Sequence, residues 1–174
     1  MNKLYLNTRV YNGLIYENNT NIKNFLNPNK IEYFGPGKND NFEEYILNFQ
    51  VFHRLEKTGL KNYLYEYSNH YYEKRNLQPD EVFINTEKNI IYILEKKFQK
   101  CSGSADEKIQ TGPFKLEYYQ KLYPTYKIKF AYVLSNWFKS NKYKFERQFL
   151  KKHKIDILWG DNKYYFQNLL LFLK

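Results

Sequence analysis

Between residues 82 and 99 the chain changes its rhythm. Val82-Phe83-Ile84 is a short apolar run, Asn85-Thr86-Glu87-Lys88-Asn89 is polar, and Ile90 to Gln99 alternates with period two, which together predict a β-hairpin. Upstream, Phe42, Tyr45, Ile46, Phe49, Phe52 and Leu55 recur at helical spacing. With Asn41 or Asp40 as cap and Gly59 as stop, they predict a helix over NFEEYILNFQVFHRLEKTG. The tyrosine-rich LKNYLYEYSNHYYEKRN favours a second helix or helix-loop over a strand. Residues 1–39, rich in Asn and Gly with brief apolar runs KLYL, GLIY and IEYFG, predict short strands and turns.

Downstream of the hairpin, Ser102-Gly103-Ser104 breaks the chain, and Ser104 with Glu107 has the spacing of a capping box. A helix is expected from there, restarted at Gly112-Pro113, carrying Phe114, Leu116, Tyr119, Leu122 and Tyr123, and ended by Pro124. The run 126–134 alternates and then becomes wholly apolar, as a strand entering a buried sheet does. A helix near 142–152, a strand over 155–159 and a helix near 164–173 complete the pattern. Strands alternating with helices after an opening hairpin predict an α/β fold, a mixed β-sheet flanked by helices. No repeat or linker divides residues 1–174, so one domain is expected.

Charge narrows the partners. The 28 Lys and Arg against 18 Asp and Glu leave +10 at pH 7, which points to a polyanion. AT-rich coding produces the same lysine excess together with Asn, Ile, Tyr and Phe, and this chain is rich in all of them. The apolar tail YYFQNLLLFLK falls well short of the ~20 residues that cross a bilayer, so no membrane association is expected. The first residues contain no apolar leader run, and the single cysteine, Cys101, allows no internal disulfide. A cytoplasmic protein is expected.

The chemistry concentrates in QPDEVFINTEKNIIYILEKKFQKCSGSADEK, residues 78–108. Alternation puts Ile91, Ile93, Glu95, Lys97 and Gln99 on one face of a strand, with same-side neighbours roughly 6–7 Å apart. The interval from Asp80 to Glu95 is long enough for a strand, a turn and a return, so antiparallel pairing can set the two carboxylates side by side. Two hard carboxylates completed by water and a phosphate oxygen suit Mg²⁺, and an adjacent lysine can hold phosphate or stabilise a pentavalent transition state. The alternative is a turn aspartate and a solvated strand end.

The order PD, apolar hairpin, ExKxQ and a Gly/Ser loop opening a helix resembles the PD-(D/E)xK nuclease superfamily. The following GSADEKIQTGPFKLEYYQKLY is similar to small type II restriction endonucleases of that group. The resemblance spans about residues 40–135 and implies a restriction-endonuclease-like core. It also implies that 1–39 and 140–174 are additions for DNA recognition or dimerisation. It further assigns Asp80 and Glu95 to the metal, Lys97 to catalysis and Gln99 to assistance, with Glu44, or less readily Glu43, joining the metal from a preceding helix. Mg²⁺ is the implied cofactor, with Mn²⁺ as a substitute.

Nucleic-acid contacts are expected from Ser102, Ser104, Lys108, Lys115, Lys142, Lys144 and Arg147, although Ser104 and Glu107 also suit a plain helix cap. Lys139, Lys151 and Lys152 extend the same basic region, which could equally be a solvated helix face. His53, His70 and His153 have no zinc-binding spacing. The expectation is a Mg²⁺-dependent endonuclease cutting double-stranded DNA at a specific site as a homodimer. A homing, repair or junction-resolving nuclease on the same core, or a non-catalytic nucleic-acid-binding protein, are the alternatives.

Overall fold

Strands β4 (Glu81–Asn85) and β5 (Ile90–Lys97) are buried on both faces over nearly their whole length, as their near-continuous apolar runs require. They lie at the centre of a seven-stranded sheet in a computed structural model that describes residues 8–25, 31–36, 42–68, 77–101 and 103–174. The strands follow sequence order: β1 (Ile31–Pro36), β2 (Glu43–Leu47), β3 (Gln50–Leu55), β4, β5, β6 (Lys127–Leu134) and β7 (Asp156–Trp159). The first five form an antiparallel meander, whereas β5–β6 and β6–β7 are parallel. Parallel neighbours need a crossover, and helices α3 (Ala105–Lys108) and α4 (Gly112–Leu122) supply the first and α5 (Lys144–Lys152) the second. The fold is α/β, with a mixed sheet flanked by helices.

Period-two alternation divides the core. Ile91 and Ile93 of β5 face one side with Ile84, Phe130 and Tyr132, under Leu60 and Leu64 of α2 (Gly59–Ser68), Tyr119 of α4 and Leu150 of α5. Tyr92 and Leu94 face the other side with Phe83, Ala131 and Val133, under Tyr16 of α1 (Thr8–Asn19) and Leu169 and Phe172 of α6 (Tyr165–Phe172). Each fully buried Leu, Ile or Phe contributes about 1.5–3 kcal/mol, so both layers are anchored through β4, β5 and β6. The segments expected as additions contribute α1 and β1, and α5, β7 and α6, to this one sheet and its covers. Among the described residues no helix is long and apolar enough to cross a membrane.

Two elements differ from the sequence pattern. The helix expected over 42–55 is the β2–β3 hairpin. Its turn residues Asn48 and Phe49 have φ of 52° and 61°, the left-handed pair that tight hairpins use. A phenylalanine in place of the usual glycine disguised that turn, and Phe49, which completed the helical stripe, is wholly exposed. Within each strand the alternation is regular, with Tyr45, Leu47 and Phe52 on the α1/α6 side. Conversely, GLIY, expected as a strand, lies within helix α1. Leu14 and Ile15 are exposed there, and burial falls on Tyr16 and Thr20, one turn apart. IEYFG does form β1, whereas KLYL lies outside the described residues. Gly59, expected to stop a helix, starts α2, and the tyrosine-rich remainder 69–76 lies outside the described residues. The capping box does not form. Ser104 has helical backbone angles (φ −61°, ψ −16°), and its hydroxyl makes no cap hydrogen bond.

A buried ion network sits on the α1/α6 side of the sheet. Arg54 of β3 donates from Nε to Glu81 Oε1 (2.6 Å) and from Nη1 to Glu43 Oε2 (2.7 Å), and it pairs with Glu56. Lys96 Nζ approaches Glu81 Oε2 at 2.7 Å, an ion pair without hydrogen-bond alignment, and donates to the Glu17 carbonyl at 3.2 Å. Burial acts to lower the Arg54 pKa, but Glu81 and Glu56 outweigh it and hold the guanidinium above its ordinary value. Glu81 is fully enclosed, so removing either partner strands the other charge in the interior. Glu81→Ala or Arg54→Ala is expected to cost about 3–5 kcal/mol in urea unfolding, against less than ~0.5 kcal/mol for Glu87→Ala in the exposed β4–β5 turn.

Candidate active site

The hairpin register pairs Glu81 with Leu94, which brings Asp80 to the end of β5. The backbone N–H of Lys96 donates to Asp80 Oδ2 at 2.6 Å and fixes that carboxylate against the strand. Glu95 and Lys97 share the face of Ile91 and Ile93 and look toward α4, whereas Lys96 between them turns to the opposite side, into the Arg54 network. Lys97 Nζ donates to Glu95 Oε2 at 2.9 Å, to the Lys96 carbonyl at 3.1 Å and to Asp80 Oδ2 at 3.4 Å. Lys115 Nζ reaches the same Glu95 oxygen from α4 at 2.9 Å. Asp80, Glu95 and Lys97, expected together, are together. Lys115 was expected only as a phosphate contact, and it is the fourth member of this cluster.

The electrostatics follow from depth. The Glu95 side chain is 4% exposed, and its second oxygen, Oε1, is buried without a hydrogen-bond partner. Burial would depress the Lys97 ammonium, yet Glu95 and Asp80 outweigh that effect and hold its pKa above the ordinary lysine value. In this arrangement Lys97 is a cation at neutral pH, suited to holding an anion. Tyr132, opposite Glu95 in the parallel β5–β6 register, has its hydroxyl pushed up to about 12 by burial, with Glu95 adding to the shift. It stays protonated and donates to the Lys108 carbonyl at 3.1 Å.

The carboxylates of Asp80 and Glu95, the latter with one buried oxygen lacking a hydrogen-bond partner, have the donor chemistry of Mg²⁺, which takes one or two protein carboxylates and completes its shell with water and phosphate. Among the described residues no group of three or more His, Cys, Asp or Glu is arranged to hold a metal. Glu44 does not join. It lies on β2 rather than on a helix, approaches His53 Nε2 at 3.6 Å, and is separated from β5 by β3 and β4. Glu43 belongs to the Arg54 network.

The nearby carboxylate that the sequence pattern missed is Glu17 of α1. Burial first, and then the charge of Asp80, raise its pKa, against the opposing pull of Lys57, Lys96 and Lys97. Its place near the end of β5 is set by the packing of α1 on that strand, which local spacing does not reveal.

The remaining predicted residues divide. Gln99 lies beyond the end of β5 and makes main-chain bonds to Ser135 Oγ, at 3.1 Å from its N–H and 3.2 Å to its carbonyl. Its side chain lies so close to Gly103 that a Cβ there would come within 2.8 Å of Nε2. Gln99 therefore ties the loop after β5 to the end of β6, and it lines the same cleft as Lys97 and Glu17. Arg147 is committed to the Phe138 and Ser140 carbonyls, at 2.5 and 2.8 Å, and Lys142 approaches Asp106 at 3.4 Å. Ser104, Lys108 and Lys144 are exposed, and Ser102 lies outside the described residues. His53 Nδ1 meets the Tyr63 hydroxyl at 2.6 Å and His153 Nδ1 the Phe149 carbonyl at 2.8 Å, while His70 lies outside the described residues.

A cleft of about 420 Å³ opens beside the cluster, lined by Glu17, Lys97, Phe98, Lys100, Cys101 and Lys108 among others. Comparison with family profiles, with curated proteins and with solved structures finds no match to this chain.

A folded-state pKa raised above the ordinary glutamate value means that the Glu17 charge costs stability, and that the native state loses stability as pH rises through the interval between those two values. Glu17→Gln is therefore expected to raise the thermal midpoint at pH 7 by roughly 1–3 °C, with the gain disappearing below the ordinary value of 4.5. A lower midpoint at pH 7 would mean that the surrounding lysines outweigh burial and Asp80.

Proposed function

We propose that this protein is a Mg²⁺-dependent DNA endonuclease with a restriction-endonuclease-like core of the PD-(D/E)xK type, acting on double-stranded DNA at a specific site in the manner of a type II restriction enzyme. The observation that supports this most directly is the convergence of Asp80, Glu95 and Lys97 at the end of a buried strand, with one Glu95 oxygen buried and without a hydrogen-bond partner. A solvated strand end, the bland alternative, would leave these groups exposed and independent. Here the Glu95 carboxylate is almost fully enclosed and shared by two ammonium groups.

Asp80 and Glu95 would hold the metal, whose contribution when bound is to lower the pKa of water and neutralise charge on the phosphate. Asp80 is pre-set for that role by the Lys96 amide, which fixes one of its oxygens. Lys97, cationic and half-buried, would bind a non-bridging phosphate oxygen and stabilise the extra negative charge of the pentavalent state. Lys115 of α4, which meets the same Glu95 oxygen, would do the same. Water attacks the phosphorus directly, the P–O bond to one deoxyribose oxygen breaks and that oxygen takes up a proton from solvent, with no covalent enzyme intermediate. Cutting both strands at a symmetric sequence requires two such sites, and a homodimer is the arrangement that supplies them.

Incubating plasmid DNA with the protein and Mg²⁺ tests the assignment. Wild type is expected to linearise or fragment the plasmid, and Glu95→Ala and Lys97→Ala to cut at least about 100-fold more slowly. Glu44→Ala is expected to leave the rate within about threefold, because Glu44 lies across the sheet from the cluster. Equal cutting by wild type, Glu95→Ala and Lys97→Ala would remove the site from consideration.

A further inference from the structure

We infer that the cleft next to the cluster receives a single unpaired nucleotide adjacent to the phosphate that is cut, so that the substrate is recognised with one base turned out of the duplex or already unpaired. This rests on the nuclease reading above and adds to it the state of the substrate strand. The cleft, at about 420 Å³, lies within the ~300–1,000 Å³ range of small-ligand sites and suits one nucleotide better than a double helix. Lys97 lines it, which joins it directly to the cluster. A smaller hollow containing Asp80 shares Glu17 and Lys96 with it, so acidic groups mark the metal end.

The opposite end has the chemistry of a nucleotide site. Phe98 is half-buried, steadied by Tyr16 with ring centroids 5.2 Å apart, and offers an aromatic surface to the cleft. Lys100 lies over that ring at 5.5 Å, and Lys108 is exposed at the rim. Aromatic stacking is available to any base, and two lysines beside it match the phosphates on either side of the stacked nucleotide. As a base takes its place on Phe98, the Lys100 ammonium would pass from the ring to the neighbouring phosphate. Charge complementarity thus selects a polyanion, and the small aromatic cleft selects a strand whose base is free to enter.

Cys101, the only cysteine in the chain, lines the same cleft and is exposed, which makes it a built-in reporter. The experiment measures maleimide alkylation of Cys101 in metal-free buffer, where cleavage is not required, with single-stranded oligothymidylate or a fully paired duplex of equal length, while fluorescence anisotropy reports binding. Single strand is expected to slow alkylation at least about fivefold and more than the duplex does. Phe98→Ala is expected to weaken single-strand binding about tenfold and Phe98→Tyr to restore it. Lys108→Glu, at an exposed position, is expected to weaken binding without lowering the thermal midpoint.

Binding with Cys101 alkylated at its free rate, equal protection by duplex and single strand, or no binding of either would each overturn the inference. If Phe98→Ala proves unstable, the Lys108→Glu and Phe98→Tyr comparison decides. Mg²⁺-dependent plasmid cutting is read separately, so loss of the cleft assignment with cutting intact is distinguishable from failure of the nuclease reading itself.

Discussion

Everything at the candidate site depends on the antiparallel pairing of β4 with β5. That register sets Asp80 opposite the end of β5, and the strand's period of two then sends Lys96 and Lys97 in opposite directions. One lysine completes a buried network with Glu81 and the other bridges Asp80 and Glu95. A slip of one residue would exchange them, putting a lysine among the apolar side chains of one layer and breaking both clusters at once. The charged network and the candidate site are therefore two readouts of one backbone register.

The two clusters also differ in kind. Around Arg54 the opposite charges enclose one another, with Glu43, Glu56 and Glu81 all directed at one guanidinium. Around Glu95 one oxygen takes two ammonium groups while the other takes none. Glu17 adds a carboxylate whose charge is disfavoured where it stands. A closed set of pairs is what stability selects, whereas a buried acceptor without a partner and a carboxylate with a raised pKa at one strand end are the features on which the nuclease proposal rests.

How much of this was legible in the sequence depended on whether a single period dominated locally. The 82–97 hairpin, the strand 127–134, and the helices and strand that follow it were readable because alternation or helical spacing ran without competition. Asp80, Glu95 and Lys97 were readable with them, since their meeting requires only that hairpin. The β2–β3 hairpin was not, because Asn48-Phe49 is a turn in backbone angle but an apolar step in composition. Helix α1 was not, because its apolar residues Leu14 and Ile15 face outward and its burial is carried by Tyr16 and Thr20. Missing α1 hid Glu17, and taking β2 for a helix put Glu44 forward in its place. Lys115 could not be assigned to the cluster from spacing, since its reach to Glu95 is set by the packing of α4 on β6.

The Lys115–Glu95 contact has a consequence for how a divalent ion would enter. The carboxylate already has an internal counter-ion, carried on a helix that also packs against β6. In the proposed nuclease, Glu95 could hold a dication through Oε2 only if Lys115 moved off it, and the ammonium would then be free to meet a phosphate. On that proposal one lysine would link the two ligands, because the contact that now neutralises Glu95 is the one a phosphate would inherit.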